Sequence, residues 1–213
     1  MKGDSGDMEN KTWYTALGAP GTGKTTLLNR IVRAFPEYTY VGNYTILSEN
    51  SLLNQYLNKL FIDGDFSYFF KFQMEVLPQR FRDSYYCVHN SFVDKPIYDT
   101  YAYAKTLRKL EWIEEHEYET FYSNFSMLDK LIPKPKSIVY LKCTNIFLLL
   151  SRLAQRGRGI EKRYTLGYIE ALLETFDEVA NEMKSSYNML EFDIEQIEGD
   201  DLYKSVIERL NLQ

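Results

Sequence analysis

The segment Gly18-Ala19-Pro20-Gly21-Thr22-Gly23-Lys24-Thr25 has the spacing G-x-x-x-x-G-K-T, and Thr26 follows it. These residue types suit one task, holding a string of phosphates. Glycines let backbone N–H groups turn inward around anionic oxygens. The start of the helix that should follow adds partial positive charge. Lys24 is then placed to reach the β- and γ-phosphates, and the Thr25 hydroxyl to ligate Mg²⁺. A glycine-rich turn with a chance lysine would have the same letters. Here, however, a β-rich apolar stretch precedes the motif and an amphipathic helical stretch follows it. Gly18 to Thr26 are therefore read as an ATP site with Mg²⁺ as its metal. The motif identifies a nucleoside triphosphate site and leaves the reaction open.

A second group of cations is Arg152, Arg156 and Arg158. Arg152 and Arg156 are one helical turn apart and share a face. Gly157 can break the helix and let Arg158 swing over the same place. Three guanidiniums on a movable segment match the charge spread over the three oxygens of a transferring phosphoryl group. A solvated basic helix end that complements the helix dipole is the plainer alternative. A phosphate loop in the same chain favours the catalytic reading. A lid of this kind also keeps water from ATP.

Alternating strands and helices must position these groups. Thr12–Leu17, Tyr38–Val41, Tyr85–His89 (an extension to Val93 stays open), Ser137–Lys142 and Met189–Ile194 read as strands. Thr25–Phe35, Ser51–Phe61, Phe66–Phe81, Ile97–Leu110, Glu117–Leu131, Ile146–Arg156, Leu166–Met183 and Leu202–Leu210 read as helices. Pro78 should kink or end the third of these. The pattern predicts an α/β sandwich around a central, mostly parallel five-stranded sheet. Residues 12–213 should form one domain, and the polar stretch 1–11 a disordered tail.

Composition narrows the function. The chain has 213 residues, 45% hydrophobic and 15% aromatic, enough for a full-sized core and too apolar for disorder. Cys87 and Cys143 are its two cysteines and exclude a disulfide scaffold or a four-cysteine zinc cluster. Two histidines argue against a histidine metal site. A net charge of −5 argues against an extended nucleic-acid groove. The longest apolar run, Ile146–Leu150, is too short to span a bilayer. The N-terminal stretch has neither the apolar run of a signal peptide nor the arginines of a transit peptide, so a cytoplasmic location is expected. Tyr (18) and Phe (13) are abundant, which composition does not explain.

The sequence resembles the deoxyribonucleoside kinase family from the phosphate loop to about residue 180. Phe70-Lys71-Phe72-Gln73, with Arg80 seven residues after Gln73, is similar to the family's F-x-x-Q helix. Tyr98 to Lys105, followed by Glu117 to Tyr122, resembles the stretch after the family's D/E-R-S motif. Pro133 to Leu141, Arg156 to Glu161 and Tyr168 to Leu172 resemble its strand, lid and following helix. The resemblance implies a P-loop kinase three-layer sandwich with an arginine-rich lid. It implies transfer of the ATP γ-phosphate to the 5′-hydroxyl of a nucleoside, for salvage, by a homodimer. By the same resemblance, Gln73 would pair with the base edge. Arg80 would stand nearby, helped by Asp99 or Thr100. Glu161 would hold the sugar 3′-hydroxyl. Aromatics at Phe66, Phe69, Phe70 and Phe72 would supply a stacking wall, although plain core packing explains at least half of them.

The sequence departs from the family pattern at two places that matter for catalysis. The family's Glu after the second strand, which takes the 5′-hydroxyl proton, falls near Thr45, with Glu49 the nearest acid. The D/E-R-S motif reads Asp94-Lys95-Pro96, or less well His89-Asn90-Ser91, and lysine lacks the bidentate fork of arginine. The family's sugar-contacting Tyr finds Phe61 and Ile62 near its place. Asp94, at the C-terminal end of a central strand, is the candidate substitute base. General-base help contributes about 10²–10⁴-fold, so its loss would slow phosphoryl transfer without abolishing it. A monophosphate kinase, or a nucleotide-binding protein that kept the scaffold, are the competing readings.

Overall fold

The computed structural model describes residues 12–42, 51–87, 89–157 and 161–212. Five strands form its centre: β1 (Trp13–Leu17), β2 (Thr39–Val41), β3 (Ser91–Val93), β4 (Ser137–Lys142) and β5 (Met189–Asp193). All residues of β1 and β3 are buried, as are the first five of β4. Continuous burial on both faces is what a sheet with helices on each side requires. The strand order is β2-β3-β1-β4-β5 and every pairing is parallel.

The eight α-helices among the described residues are α1 (Lys24–Ala34), α2 (Leu52–Phe61), α3 (Tyr68–Tyr85), α4 (Ile97–Lys109), α5 (Glu115–Asp129), α6 (Ile146–Arg156), α7 (Leu166–Met183) and α8 (Gly199–Leu210). The crossover holding α1 runs from β1 outward to β2. Those holding α2 through α7 run the other way along the sheet. Right-handed crossovers must therefore put α1 on one face and α2–α7 on the other. The contacts agree, since α1 packs with α8, whereas α3, α4, α5 and α7 pack among themselves. The result is a three-layer α/β sandwich. Connections leave in opposite directions from β1 and β3. The crevice at their C-terminal ends is where such sheets bind ligands.

Two expectations need correction. The third strand is Ser91–Val93, not Tyr85–His89. Tyr85 closes α3 and Tyr86 is exposed, so β-propensity there loses to the helix. Pro78 neither ends nor interrupts α3, which runs on to Tyr85. Burial of Val76, Leu77, Arg80 and Ser84 along one side outweighs the hydrogen bond that proline cannot donate. No helix among the described residues is long and apolar enough to cross a membrane. The stretch 1–11, Thr45, Glu49 and Arg158 lie outside the described residues.

Candidate active site

A cavity of about 690 Å³ lies at the C-terminal ends of β1 and β3. One end is the phosphate loop. Gly18 has φ +148°, and a Cβ there would meet the Leu141 carbonyl oxygen at 2.7 Å. Gly23, the residue before α1, has φ +97°, a left-handed conformation costly for other residues. These two positions show why the loop needs glycine. Pro20, Gly21, Gly23, Lys24, Thr25 and Thr26 line the cavity. Gly18, Ala19 and Thr22 shape the loop from behind, where the Thr22 hydroxyl donates to the Ala19 carbonyl at 2.9 Å.

Lys24 is buried and donates to the carbonyls of Gly18 and, at 3.2 Å, Ala19. Its Nζ also stands 3.5 Å from Asp99 Oδ2. Burial pushes the Asp99 carboxyl up to about 6, although Lys24 opposes the rise. The charge of Asp94 adds to it. Asp94 follows β3 and is 3% exposed. Its Oδ2 accepts hydrogen bonds from the Thr25 hydroxyl at 2.6 Å and the Tyr40 hydroxyl at 2.8 Å. Asp94 Oδ1 and Asp99 Oδ1 are buried with no hydrogen-bond partner among the described residues.

The other end of the cavity is built by α3 and α4. Gln73 and Arg80 are buried on α3 and both line the cavity, as do Asp99, Thr100 and Tyr103 of α4. Asp83, one turn after Arg80, is 3.7 Å from the Arg80 guanidinium. Burial lowers the Arg80 pKa from its ordinary value, with the Asp83 and Asp99 carboxylates opposing. The rim comes from the end of α6 and the helical turn Glu161–Arg163. Arg156 and Glu161 both line this rim and form a two-point pair, Nε to Oε2 at 2.9 Å and Nη2 to Oε1.

Arg152 shares the helix face of Arg156 but does not join it at the cavity. Its guanidinium reaches Glu198, just before α8, at 2.6 Å, and it does not line the cavity. Of the expected aromatic wall, Phe69 and Phe72 line the cavity. Phe66 instead stacks on Trp112 at 4.9 Å, and Trp112 stacks on Phe69 and Tyr168 at 5.2 and 5.3 Å. Tyr40, Asn54, Asn58, Tyr164 and Tyr168 also line the cavity and were not found from the sequence. The i, i+4 spacing of Asn54 and Asn58 on one side of α2 was a usable signal; the others carry none.

The resident metal would need hard oxygen donors. The Thr25 hydroxyl fits that need, and the Asp94 carboxylate beside it supplies negative charge. No cluster of three or more His, Cys, Asp or Glu able to hold a metal occurs among the described residues. A site of this kind therefore depends on substrate phosphates for its remaining ligands.

Comparison with known proteins gives the same picture. The family model for deoxynucleoside kinase matches residues 17–212. The chain belongs to the deoxynucleoside kinase family. This kinase is 26% identical over 209 residues to deoxyguanosine kinase of Bacillus subtilis (strain 168), covering 94% of the chain and 95% of the relative. It is 26% identical over 170 residues to deoxyadenosine kinase of Dictyostelium discoideum, covering 78% of the chain and 66% of the relative. The structure of deoxyadenosine kinase from M. mycoides with bound dCTP superposes with a TM-score of 0.77 at 19% identity, covering 94% and 99% of the two chains. The same enzyme with products dCMP and a flexible dCDP gives 0.80 at 18% identity, covering 94% and 98%. At such identity the likeness speaks for the fold. Family membership makes this chain an enzyme that phosphorylates nucleosides for salvage, using a nucleotide.

Proposed function

We propose that this kinase transfers the γ-phosphate of Mg·ATP to the 5′-hydroxyl of a purine 2′-deoxynucleoside. The observation that carries the reading is the single cavity joining Lys24 and Thr25 at one end to Gln73 and Arg80 at the other. The names of the two curated relatives, one a deoxyguanosine and one a deoxyadenosine kinase, support the purine. Gln73 can donate and accept at once along a purine edge, and Arg80 supplies donors for a carbonyl and ring nitrogen. Glu161 takes the 3′-hydroxyl.

Lys24 and Arg156, with Arg158, carry the charge of the transferring group. Mg²⁺, held by Thr25 and the Asp94 side of the cavity, neutralises phosphate charge when bound. In the step itself, the acceptor 5′-oxygen forms a bond to the γ-phosphorus. The bond from that phosphorus to the β,γ-bridging oxygen breaks, and ADP leaves with the electron pair. The hydroxyl proton passes to Asp94 Oδ1. A neutral nucleoside suits this site better than a monophosphate, because the buried Asp94 and Asp99 carboxylates would repel a second anion.

The test is a panel of deoxynucleosides, ribonucleosides and monophosphates with Mg·ATP, followed by product separation. Deoxyadenosine or deoxyguanosine should give the 5′-monophosphate most efficiently. Preferential turnover of pyrimidines would overturn the purine assignment, and product only from monophosphates would overturn the acceptor. A homodimer is part of the proposal; light scattering should give twice the chain's 25.2 kDa.

A further inference from the structure

We propose that Tyr40 is a positioning residue for phosphoryl transfer that acts through Asp94; this deepens the kinase reading above and rests on it. Tyr40 lies in β2, half-buried at the cavity wall. Its hydroxyl donates to Asp94 Oδ2 at 2.8 Å, and the Thr25 hydroxyl donates to the same oxygen at 2.6 Å. One carboxylate oxygen is thus gripped from two elements, β2 and α1. The other, Oδ1, is buried with no hydrogen-bond partner among the described residues.

This asymmetry has geometric consequences. Two donors on Oδ2 fix the rotation of the carboxylate about its Cβ–Cγ bond. The direction of Oδ1, the oxygen left to act on the incoming groups, is therefore set by Tyr40 and Thr25 together. The Thr25 proton points at Asp94, which leaves the Thr25 lone pairs for a cation. With Thr25 alone the carboxylate could turn. Hydrogen bonds to an ionised acceptor are roughly twice as strong as neutral ones, so the second donor is not a minor one.

The tyrosine has a built seat. A Cβ at Gly42 would lie 2.6 Å from Tyr40 Cε1 and 2.7 Å from its hydroxyl oxygen. The ring therefore lies against the Gly42 backbone, and only glycine at 42 leaves the phenol there. Any larger residue meets the far end of the Tyr40 side chain, which can move aside without disturbing the sheet.

The experiment uses the full chain and the Tyr40→Phe variant, which loses only the hydroxyl. Turnover with Mg·ATP and the best nucleoside of the panel should fall at least about tenfold in kcat, the size of a lost hydrogen bond to a charged group, with nucleoside KM and melting temperature nearly unchanged. Mn²⁺ affinity, read by electron paramagnetic resonance with a non-hydrolysable ATP analogue bound, should weaken in parallel. Gly42→Ala should reproduce both changes by displacing the ring. In an Asp94→Asn background, adding Tyr40→Phe should cost little more, because both act through one group. Wild-type kcat and Mn²⁺ affinity in Tyr40→Phe would overturn the proposal, and so would a fully additive loss with Asp94→Asn. Failure of the wild type to phosphorylate any nucleoside would instead sink the kinase reading. The Mn²⁺ measurement would then still decide for or against Tyr40.

Discussion

Arg156 and Glu161 form the two-point pair at the cavity rim, and Arg156 is the arginine proposed to act on the transferring phosphoryl group. Removing a preorganised charge that stabilises a transition state costs about 10²–10³ in kcat. Arg156→Ala should therefore lower kcat by about that factor in single-turnover assays, while ATP affinity by calorimetry changes far less. Equal loss of both would make it a binding residue only. Asp99 allows a pH test. Its folded-state pKa is pushed up to about 6 by burial, so the folded chain keeps this proton after the unfolded chain has released its own. The contribution of Asp99 to stability therefore falls as pH rises from about 4 to about 6 and is level above that. Asp99→Asn, which stays neutral, should gain on the wild type over this window in thermal melts. A difference that does not change with pH would refute the shift. Lys24 was legible as a cavity residue from motif spacing, and Gln73, Arg80 and Glu161 from the family resemblance. Tyr40 was not, because a tyrosine in a strand carries no signal until Asp94 is seen beside it.

The helix α3 carries Gln73 and Arg80 on the same buried side, seven residues and about two turns apart. Its integrity fixes their spacing. Pro78 is exposed and inside the helix, where proline is about 3 kcal/mol less favourable than alanine. Pro78→Ala should raise the unfolding free energy by about 1 kcal/mol or more in urea melts and leave kcat/KM unchanged, since the residue does not line the cavity. A loss of activity would mean that the proline sets the helix direction needed by Gln73. The phosphate loop shows the opposite sensitivity. Gly18→Ala would drive a Cβ into the Leu141 carbonyl of β4, a backbone atom that cannot yield cheaply. Loss of ATP binding together with a lower melting temperature is the expected result. The missed start of β3 belongs to this scale too: the residues from Tyr85 to Cys87 look like strand, but the helix ahead of them and the pairing of Ser91–Val93 with β1 and β2 decide otherwise.

The molecule holds its site cavity between a parallel sheet and a helical layer, so ligands should couple to global stability. A ligand that binds only the folded chain adds about 2.7 kcal/mol at a hundred times its Kd, worth roughly 5–10 °C for a protein of this size. Differential scanning calorimetry should show such a rise with the preferred deoxynucleoside and little with nucleosides that are not phosphorylated. A uniform rise with every nucleoside would argue against discrimination by Gln73 and Arg80. The abundance of Tyr and Phe becomes intelligible at this scale. Trp13, Tyr14, Tyr98, Phe92, Phe121 and Phe176 fill the core, while the column through Phe66, Trp112 and Tyr168 backs the cavity.

By itself, the sequence determined the nucleotide end of the site and the order of strands and helices. Those features are local: a glycine-rich turn, a lysine and a periodic apolar face act within a few residues of one another. Tertiary structure alone decided which distant groups meet. Asp94 joins Thr25 and Tyr40 across 69 and 54 residues, and Lys24 approaches Asp99 across 75. Arg152 turns to Glu198, which only the docking of α8 brings near. Burial makes the Asp94 and Asp99 contacts strong and their loss costly, and burial depends on how the layers close rather than on any stretch of sequence.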